Sequence, residues 1–293
     1  MTARTGVQFP CARPPEDLRP FARAAEAAGF DELWVVEDCF FAAGPSSAVA
    51  ALAATDSLTV GMGILPAVAR NPAFAAMELA TIERLYPGRV LPGFGHGVAD
   101  WMRQVGAFPE SQLAALEEVA VAVRRLLAGE RVTVHGRHVH LDAVRLDHPP
   151  AVAPPVSLGV RGPRSLAVAG RVADGTILAE GSSPAYVRWA VEQIAAPGPH
   201  RVTVFAWWGP TLDDVRPTVA RALAKARNDV QRLPLGIQAD VDAWRAGGAD
   251  PAAVPDEWVH LLALVGDPAP GRDALADAGA HTVVLTPVAL DPW

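Results

Sequence analysis

Apolar positions along the chain fall into two alternating rhythms. Short unbroken runs are followed by longer segments in which apolar residues recur at helical spacing. Thr5 to Phe9 is such a run, and Glu16 to Ala28 follows with Leu18, Phe21, Ala22 and Ala25 on one face before Gly29 stops it. The same pair recurs as strand 33–36 with helix 46–54, strand 58–65 with helix 73–85, and strand 89–94 with helix 110–127. It continues as strand 156–160 with the helix opened by Gly162-Pro163, strand 176–178 with helix 185–194, strand 202–207 with helix 213–226, and helix 272–278 with strand 281–285. Eight strands alternating with helices predict a parallel sheet, and eight is the number that closes a (β/α)8 TIM barrel. An open doubly wound sheet is the rival. It usually begins with a glycine-rich first turn, whereas this first turn reads Pro10-Cys11-Ala12-Arg13-Pro14.

Two stretches break the rhythm. Residues 131–141 read as a hairpin turning at Gly136-Arg137. Residues 228–256, rich in Gly, Ala, Asp and Pro, read as an insertion before the last unit. Residues 1–293 are therefore expected to form a single barrel domain with short excursions.

Composition narrows the class. Of 293 residues, 51% are apolar and 19% charged, enough for a large core. A net charge of -7 disfavours a nucleic-acid partner, which needs a basic face. No apolar stretch is long enough to cross a bilayer, and no signal-peptide core precedes the first strand, so a cytoplasmic protein is expected. Two cysteines, Cys11 and Cys39, make neither a disulfide framework nor a zinc set. His135, His138 and His140 lie close in sequence, but on a hairpin without nearby acidic or sulfur ligands before Asp142, and no metal site is expected. No G-x-S-x-G elbow is present.

In a barrel, chemistry belongs at the C-terminal strand ends. That rim is mostly apolar and aromatic, which suits a flat, largely apolar ligand and a small lipophilic substrate. The segment GVRGPRSLAVAGRVADGTIL stands out within it. Pro163 at the first helical position sacrifices no hydrogen bond, and the next amides, those of Arg164 and Ser165, point at whatever precedes the helix. With Arg161 and Arg164 beside Gly162, the natural guest is a phosphate. The plain alternative is that Gly-Pro starts a helix and the arginines are solvated. Asp38 ends a strand reading LWVV, either as a site acid or as a helix cap. His96 lies between glycines in GFGHG; the glycines, Gly95 included, suggest close backbone approach to a ligand, and His96 is a candidate proton donor. Cys39 is poorly placed as a nucleophile, since the adjacent carboxylate raises a thiol pKa. Together with Trp101 and Trp207, which either stack on a ring or cover the core, it is assigned to the substrate wall.

Four blocks in order, LRPFARAAEAAGFDELWVVED, LTVGMGILPAVARNPAFAAMELATIERLYPGR with GFGHG, GPRSLAVAGRVADGTIL, and VGDPAPGRDALADAGAHTVVLTP, make the chain resemble the bacterial luciferase-like flavin- and deazaflavin-dependent oxidoreductases. The resemblance implies a TIM barrel holding coenzyme F420, a deazaflavin, or alternatively FMN at its mouth. It implies a bulge in the third strand with a non-proline cis bond at Gly63-Ile64 behind the ring, and a cofactor phosphate at Gly162-Pro163. It also matches Asp38 to an acid that in many deazaflavin enzymes neighbours a histidine; here the neighbour is Cys39. The activity implied is F420-dependent hydride transfer to or from a small organic substrate. The alternatives are an FMNH2-dependent monooxygenase served by a separate flavin reductase, and a flavin-binding barrel or partner subunit without turnover. A homodimer through the helices after strands two and three is implied as well.

Overall fold

The computed structural model describes residues 3–288. Strands β1 (Arg4–Gln8), β2 (Glu32–Val35), β3 (Thr59–Pro66) and β4 (Val90–Gly95) alternate with helices α1 (Leu18–Ala27), α2 (Gly44–Leu52) and α3 (Pro72–Leu85). Helix α4 (Ala99–Gln104), α5 (Gln112–Leu127) and the hairpin β5 (Val132–His135) with β6 (His140–Val144) come next. After them run β7 (Ser157–Gly159), α6 (Pro163–Val172), β8 (Gly175–Leu178), α7 (Pro184–Ile194) and β9 (Arg201–Gly209). The last part holds α8 (Leu212–Leu223), α9 (Gln238–Ala246), α10 (Asp256–Leu262), β10 (Ala263–Val265), α11 (Ala269–Asp277) and β11 (Thr282–Pro287).

The eight strands β1, β2, β3, β4, β7, β8, β9 and β11 pair in parallel in that order. The ring closes through β11 on β1 and through β8 on β9, where Gly175 faces Arg201. The (β/α)8 barrel expected from the alternation is the fold observed. Local signals explain its punctuation: Asn71 caps α3 by accepting from the Ala73 amide at 2.9 Å, and Thr211 with Asp214 forms a capping box on α8. The expected apolar face of α1 is the buried one, Leu18, Phe21, Ala22 and Ala25.

Inside the barrel, Trp34, Leu91, Ile177, Phe205 and Val284 form a plug on which Ile64 packs. Trp34 and Phe205 meet edge to face at 5.4 Å. Gly61 makes this possible, because a Cβ there would lie 2.3 Å from the Trp34 ring. Nearer the strand N-termini, the fully buried Glu32 accepts from Trp34 Nε1 at 3.0 Å and pairs with Arg4 Nε at 2.9 Å and with Arg201. A carboxylate without those partners would be costly in such a place.

The hairpin is docked on α5 by one acid. Glu118 accepts from the amides of Arg137, His138 and Val139 at 2.8–3.0 Å. Among the described residues no three His, Cys, Asp or Glu side chains gather as metal ligands.

The insertion differs from its expected outline of 228–256. Helix α8, anticipated as an outer barrel helix, packs instead with α10, β10 and the segment that follows it. Val215, Val219 and Leu223 of α8 share a second core with Val241 of α9 and Trp258, Val259 and Leu262 of α10. The excursion therefore runs from β9 to α11, and α11 takes the outer position against α7 and β11. Strand β10 joins the upper part of β9, pairing Ala263 with Trp207 and Val265 with Gly209. This anchors the helical cap at the C-terminal end of the barrel, beside the mouth. Among the described residues no helix is long and apolar enough to cross a membrane.

Candidate active site

The third strand breaks register between Met62 and Leu65, and the Gly63–Ile64 peptide in that break is cis. Ile64 is thereby presented to the mouth. A cleft of about 120 Å³ opens over it, walled by Gly159, Val160, Arg161, Ile177, Glu180 and Phe205 among others. Gly159 leaves room for Ile64, because a Cβ there would stand 2.4 Å from its Cγ2. Gly95 is packed on the same side chain, so it accommodates Ile64 rather than an approaching ligand.

The next residues along the chain line a second cavity. Gly162, Pro163, Arg164 and Ser165 form one side of a groove of about 510 Å³, and His96, Ser111, Gln112 and Leu113 form the other. Gly162 is the N-cap of α6, in extended conformation, with Pro163 at the first position. A Cβ on Gly162 would project into open space, meeting only Ser165 Oγ at 3.8 Å. The amides of Arg164 and Ser165 belong to the first helical turn, where no intrahelical acceptor exists. Exposed Arg164 adds a cation at the same end. Backbone donors, a helix N-terminus and a guanidinium are the donor set of a phosphate site, and the groove fits one.

His96 belongs to this groove and does not line the cleft over Ile64. Its Nδ1 lies 3.2 Å from the Gln112 carbonyl at the start of α5, and burial holds its pKa below the ordinary histidine value. A proton-donor role at the mouth is the expectation for it; the structure sets it in the wall of the groove at α6.

Asp38 follows β2 at the mouth and accepts from the Cys11 thiol at 3.9 Å. Burial, and then the Asp38 charge, push the Cys11 thiol up to about 11, so it stays protonated at neutral pH. Cys39 sits beside Asp38 with its pKa raised by burial first and then by Glu37 and Asp38. Glu37 itself is structural. It takes both Arg70 Nη atoms at 2.7 and 2.9 Å and the Gly44 amide at 2.8 Å, tying the loop after β2 to α2 and to the loop after β3.

Sequence reasoning assigned no role to Glu180. It follows β8 and faces both the cleft and the cap; its Oε1 lies 3.5 Å from Thr286 Oγ1, which donates to Gln8 at 2.9 Å. Burial raises its pKa, Asp38 adds to that, and Arg161 and Thr286 oppose it. Arg161 thus lines the mouth beside Glu180 rather than the groove at α6, with its main-chain oxygen accepting from Tyr186 Oη at 2.7 Å. Gln231, from the cap, donates to the main-chain oxygens of Ala179 and Glu180 and to Ser182 Oγ. Trp207 lines a third cavity with Glu180 and Arg161, whereas half-buried Trp101 on α4 lines none of the three.

The profile of the luciferase-like monooxygenase family matches residues 2–284. The chain belongs to this family. This luciferase-like chain is 30% identical over 260 residues to a 5,10-methylenetetrahydromethanopterin reductase of Methanolobus tindarius, a match covering 86% of this chain and 77% of that one. Its matches to F420-dependent glucose-6-phosphate dehydrogenases, 32% identical in that of Nakamurella multipartita, span about half the length of those proteins. Among solved structures, a coenzyme F420-dependent tetrahydromethanopterin reductase from Methanopyrus kandleri superposes with a TM-score of 0.81 over 98% of this chain and 93% of that one, at 20% identity. An F420-dependent secondary alcohol dehydrogenase gives 0.80 over 100% and 95%, also at 20% identity. A type II Baeyer-Villiger monooxygenase of Pseudomonas putida in complex with FMN shares the fold too, with a TM-score of 0.69 at 16% identity.

Proposed function

We propose that this luciferase-like barrel is an F420-dependent oxidoreductase that moves a hydride between the deazaflavin and a small organic substrate. The observation that carries the reading is continuity. Residues 159–161 wall the cleft over the Ile64 bulge and residues 162–165 line the phosphate groove, so one short run serves both ends of a ring with a charged tail. The sequence similarity to F420-dependent glucose-6-phosphate dehydrogenases supports the deazaflavin over other tailed rings.

The deazaflavin supplies, when bound, a ring carbon that accepts or donates hydride. The amides of Arg164 and Ser165 with the Arg164 guanidinium would hold its phosphate, His96 would complete the groove wall, and Gly63 and Ile64 would lie behind the ring. Glu180, kept protonated by burial to higher pH than an ordinary carboxylate, holds the proton that hydride transfer to a carbonyl or imine requires. Asp38 is its electrostatic partner and raises its proton affinity further. Cys39 and Trp207 bound the substrate side, and Trp101 stands farther out. The protein is read as a soluble cytoplasmic homodimer. Exposed Phe74 (64%) and Met77 (50%) on α3, with Phe40 and Phe41 beside α2, supply the apolar face for dimerisation.

The test is a fluorescence titration with F420 and FMN, followed by anaerobic turnover on enones, imines and secondary alcohols. Submicromolar F420 binding with anaerobic turnover is expected. A second reading, an FMNH2-dependent monooxygenase fed by a separate reductase, is favoured by the FMN-bound neighbour. Turnover only with reduced FMN and dioxygen would establish it. Binding without turnover would identify a non-catalytic flavin-binding barrel.

A further inference from the structure

The third cavity at the mouth is of a different chemical kind from the other two. It holds about 220 Å³ between the barrel and the cap, and its lining includes Arg161 and Glu180 from the barrel together with Thr218, Arg221 and Lys225 from the cap. Three cations thus face one acid in a chain whose net charge is -7. Arg161 and Glu180 also wall the cleft over Ile64, so the two cavities adjoin. Elsewhere arginines are commonly matched by carboxylates, as Arg70 is by Glu37, Arg124 by Asp174 and Arg216 by Asp256. Among the described residues Arg221 and Lys225 form no ion pair. Arg221 donates from Nη2 to Thr218 Oγ1 at 3.0 Å, which steadies the guanidinium and leaves its other donors available. A cation in the last turn of a helix also offsets its dipole, so the place of Arg221 on α8 alone says little, and Lys225 follows two residues beyond the helix. The decisive point is that they line a cavity sharing Arg161 and Glu180 with the cleft over Ile64.

We propose that Arg221, Lys225 and Arg161 form a subsite for an anionic group, phosphate or carboxylate, carried by the substrate. The inference rests on the mouth being the cofactor site and specifies the substrate class of that site. It replaces the purely lipophilic substrate expected from the rim with one having an apolar reacting end and an anionic end. A planar guanidinium beside a compact ammonium suits either oxyanion. The cavity is smaller than those that enclose a whole drug-sized ligand, as a subsite for one group should be. The cofactor's own charged tail is the competing source of the anion, but the phosphate groove at α6 is lined by an entirely different set of residues.

The chain offers a direct probe, because Lys225 is its single lysine. Reductive 13C-dimethylation labels Lys225 and the amino terminus and preserves the charge of both; Lys225→Ala assigns the signal. Inorganic phosphate and citrate are titrated into the labelled protein with and without saturating F420, and the Lys225 methyl resonance is followed by NMR. A saturable shift in both conditions is expected, with affinity at least tenfold weaker in Arg221→Ala while F420 affinity in that variant changes less than twofold. A shift that never saturates, or that Arg221→Ala leaves unaltered, overturns the subsite. A saturable shift produced by F420 alone overturns it too, by giving the pocket to the cofactor tail. Failure of F420 to bind at all would refute the proposed function, whereas the phosphate titration without cofactor still reads the pocket.

Discussion

Gln231 Nε2 donates to the main-chain oxygen of Glu180 at 2.9 Å, joining residues 51 positions apart. The same amide reaches Ala179 O at 3.1 Å and Ser182 Oγ at 3.2 Å. A buried side chain of the cap therefore fixes the loop that carries Glu180, a carboxyl whose pKa is raised by burial. Gln231→Leu should destabilise by roughly 1–2 kcal/mol, since buried carbonyls lose their donor. Because Glu180 also loses its register, kcat should fall further than the stability change implies. Denaturant unfolding and steady-state kinetics on one preparation separate the two effects.

Glu180→Gln removes the titrating group while keeping its shape. For substrate reduction kcat should fall by about 10²–10⁴, the range for loss of a positioned proton donor. Burial raises the Glu180 pKa above the ordinary 4.5, so the protonated acid persists to higher pH. The wild-type rate should accordingly decline as pH rises through that raised value, and the variant should lose this limb. F420 affinity should be unchanged, which a fluorescence titration checks.

Arg164→Glu sets an anion where the phosphate groove offers a cation, and Gly162→Val puts bulk into the open space at the α6 N-cap. Each should weaken F420 binding at least tenfold, about 1.4 kcal/mol or more, with thermal unfolding little changed for the exposed Arg164. His96→Ala should behave as a groove variant, raising the F420 dissociation constant and leaving the pH profile of kcat alone. Movement of the profile by His96→Ala would return this residue to the proton path.

Far from the mouth, Glu26 accepts from the amides of Asp56, Ser57 and Leu58 and from Ser57 Oγ, at 2.7–3.2 Å. Burial by itself would raise its pKa, but these bonds together outweigh it and lower the pKa from 4.5 to about 2. The stabilisation is complete above about pH 4.5 and disappears as pH falls through about 2. Glu26→Gln should therefore lower stability at pH 7 by roughly 1 kcal/mol, kept small because the carboxylate faces solvent. The gap from wild type should close towards pH 2 in thermal unfolding curves.

Much of this molecule was legible in its sequence, for identifiable reasons. The barrel strands are buried on both faces and read as unbroken apolar runs, and their helices carry caps such as Asn71-Pro72 and Gly162-Pro163. The helix start at residues 162–165 was legible because Gly-Pro marks an N-terminus, and the groove beside it is where the free amides of a first turn point. The cap was hidden by composition: residues 228–256 look like loop until Val241, Val254 and Trp258 are seen packing on α8. Strand β10 is three residues long and carries no signal of its own. Glu180 was missed because its neighbours Thr286, Asp38 and Gln231 come from three other parts of the chain. The surroundings of His96 were not legible, because the start of α5, sixteen residues on, folds back to within hydrogen-bond reach of it.

The separate apolar interior of the cap divides labour within the molecule. The groove at α6 and the cleft over Ile64 are lined from the barrel, whereas the proposed anion subsite draws its cap residues from α8 and the turn after it, and the inner surface of α8 is buried among the cap's own helices. Selection, or an engineer, can rewrite that outer face at Thr218, Arg221 and Lys225 and redirect the chemistry to new reactants without disturbing the half that carries the redox power.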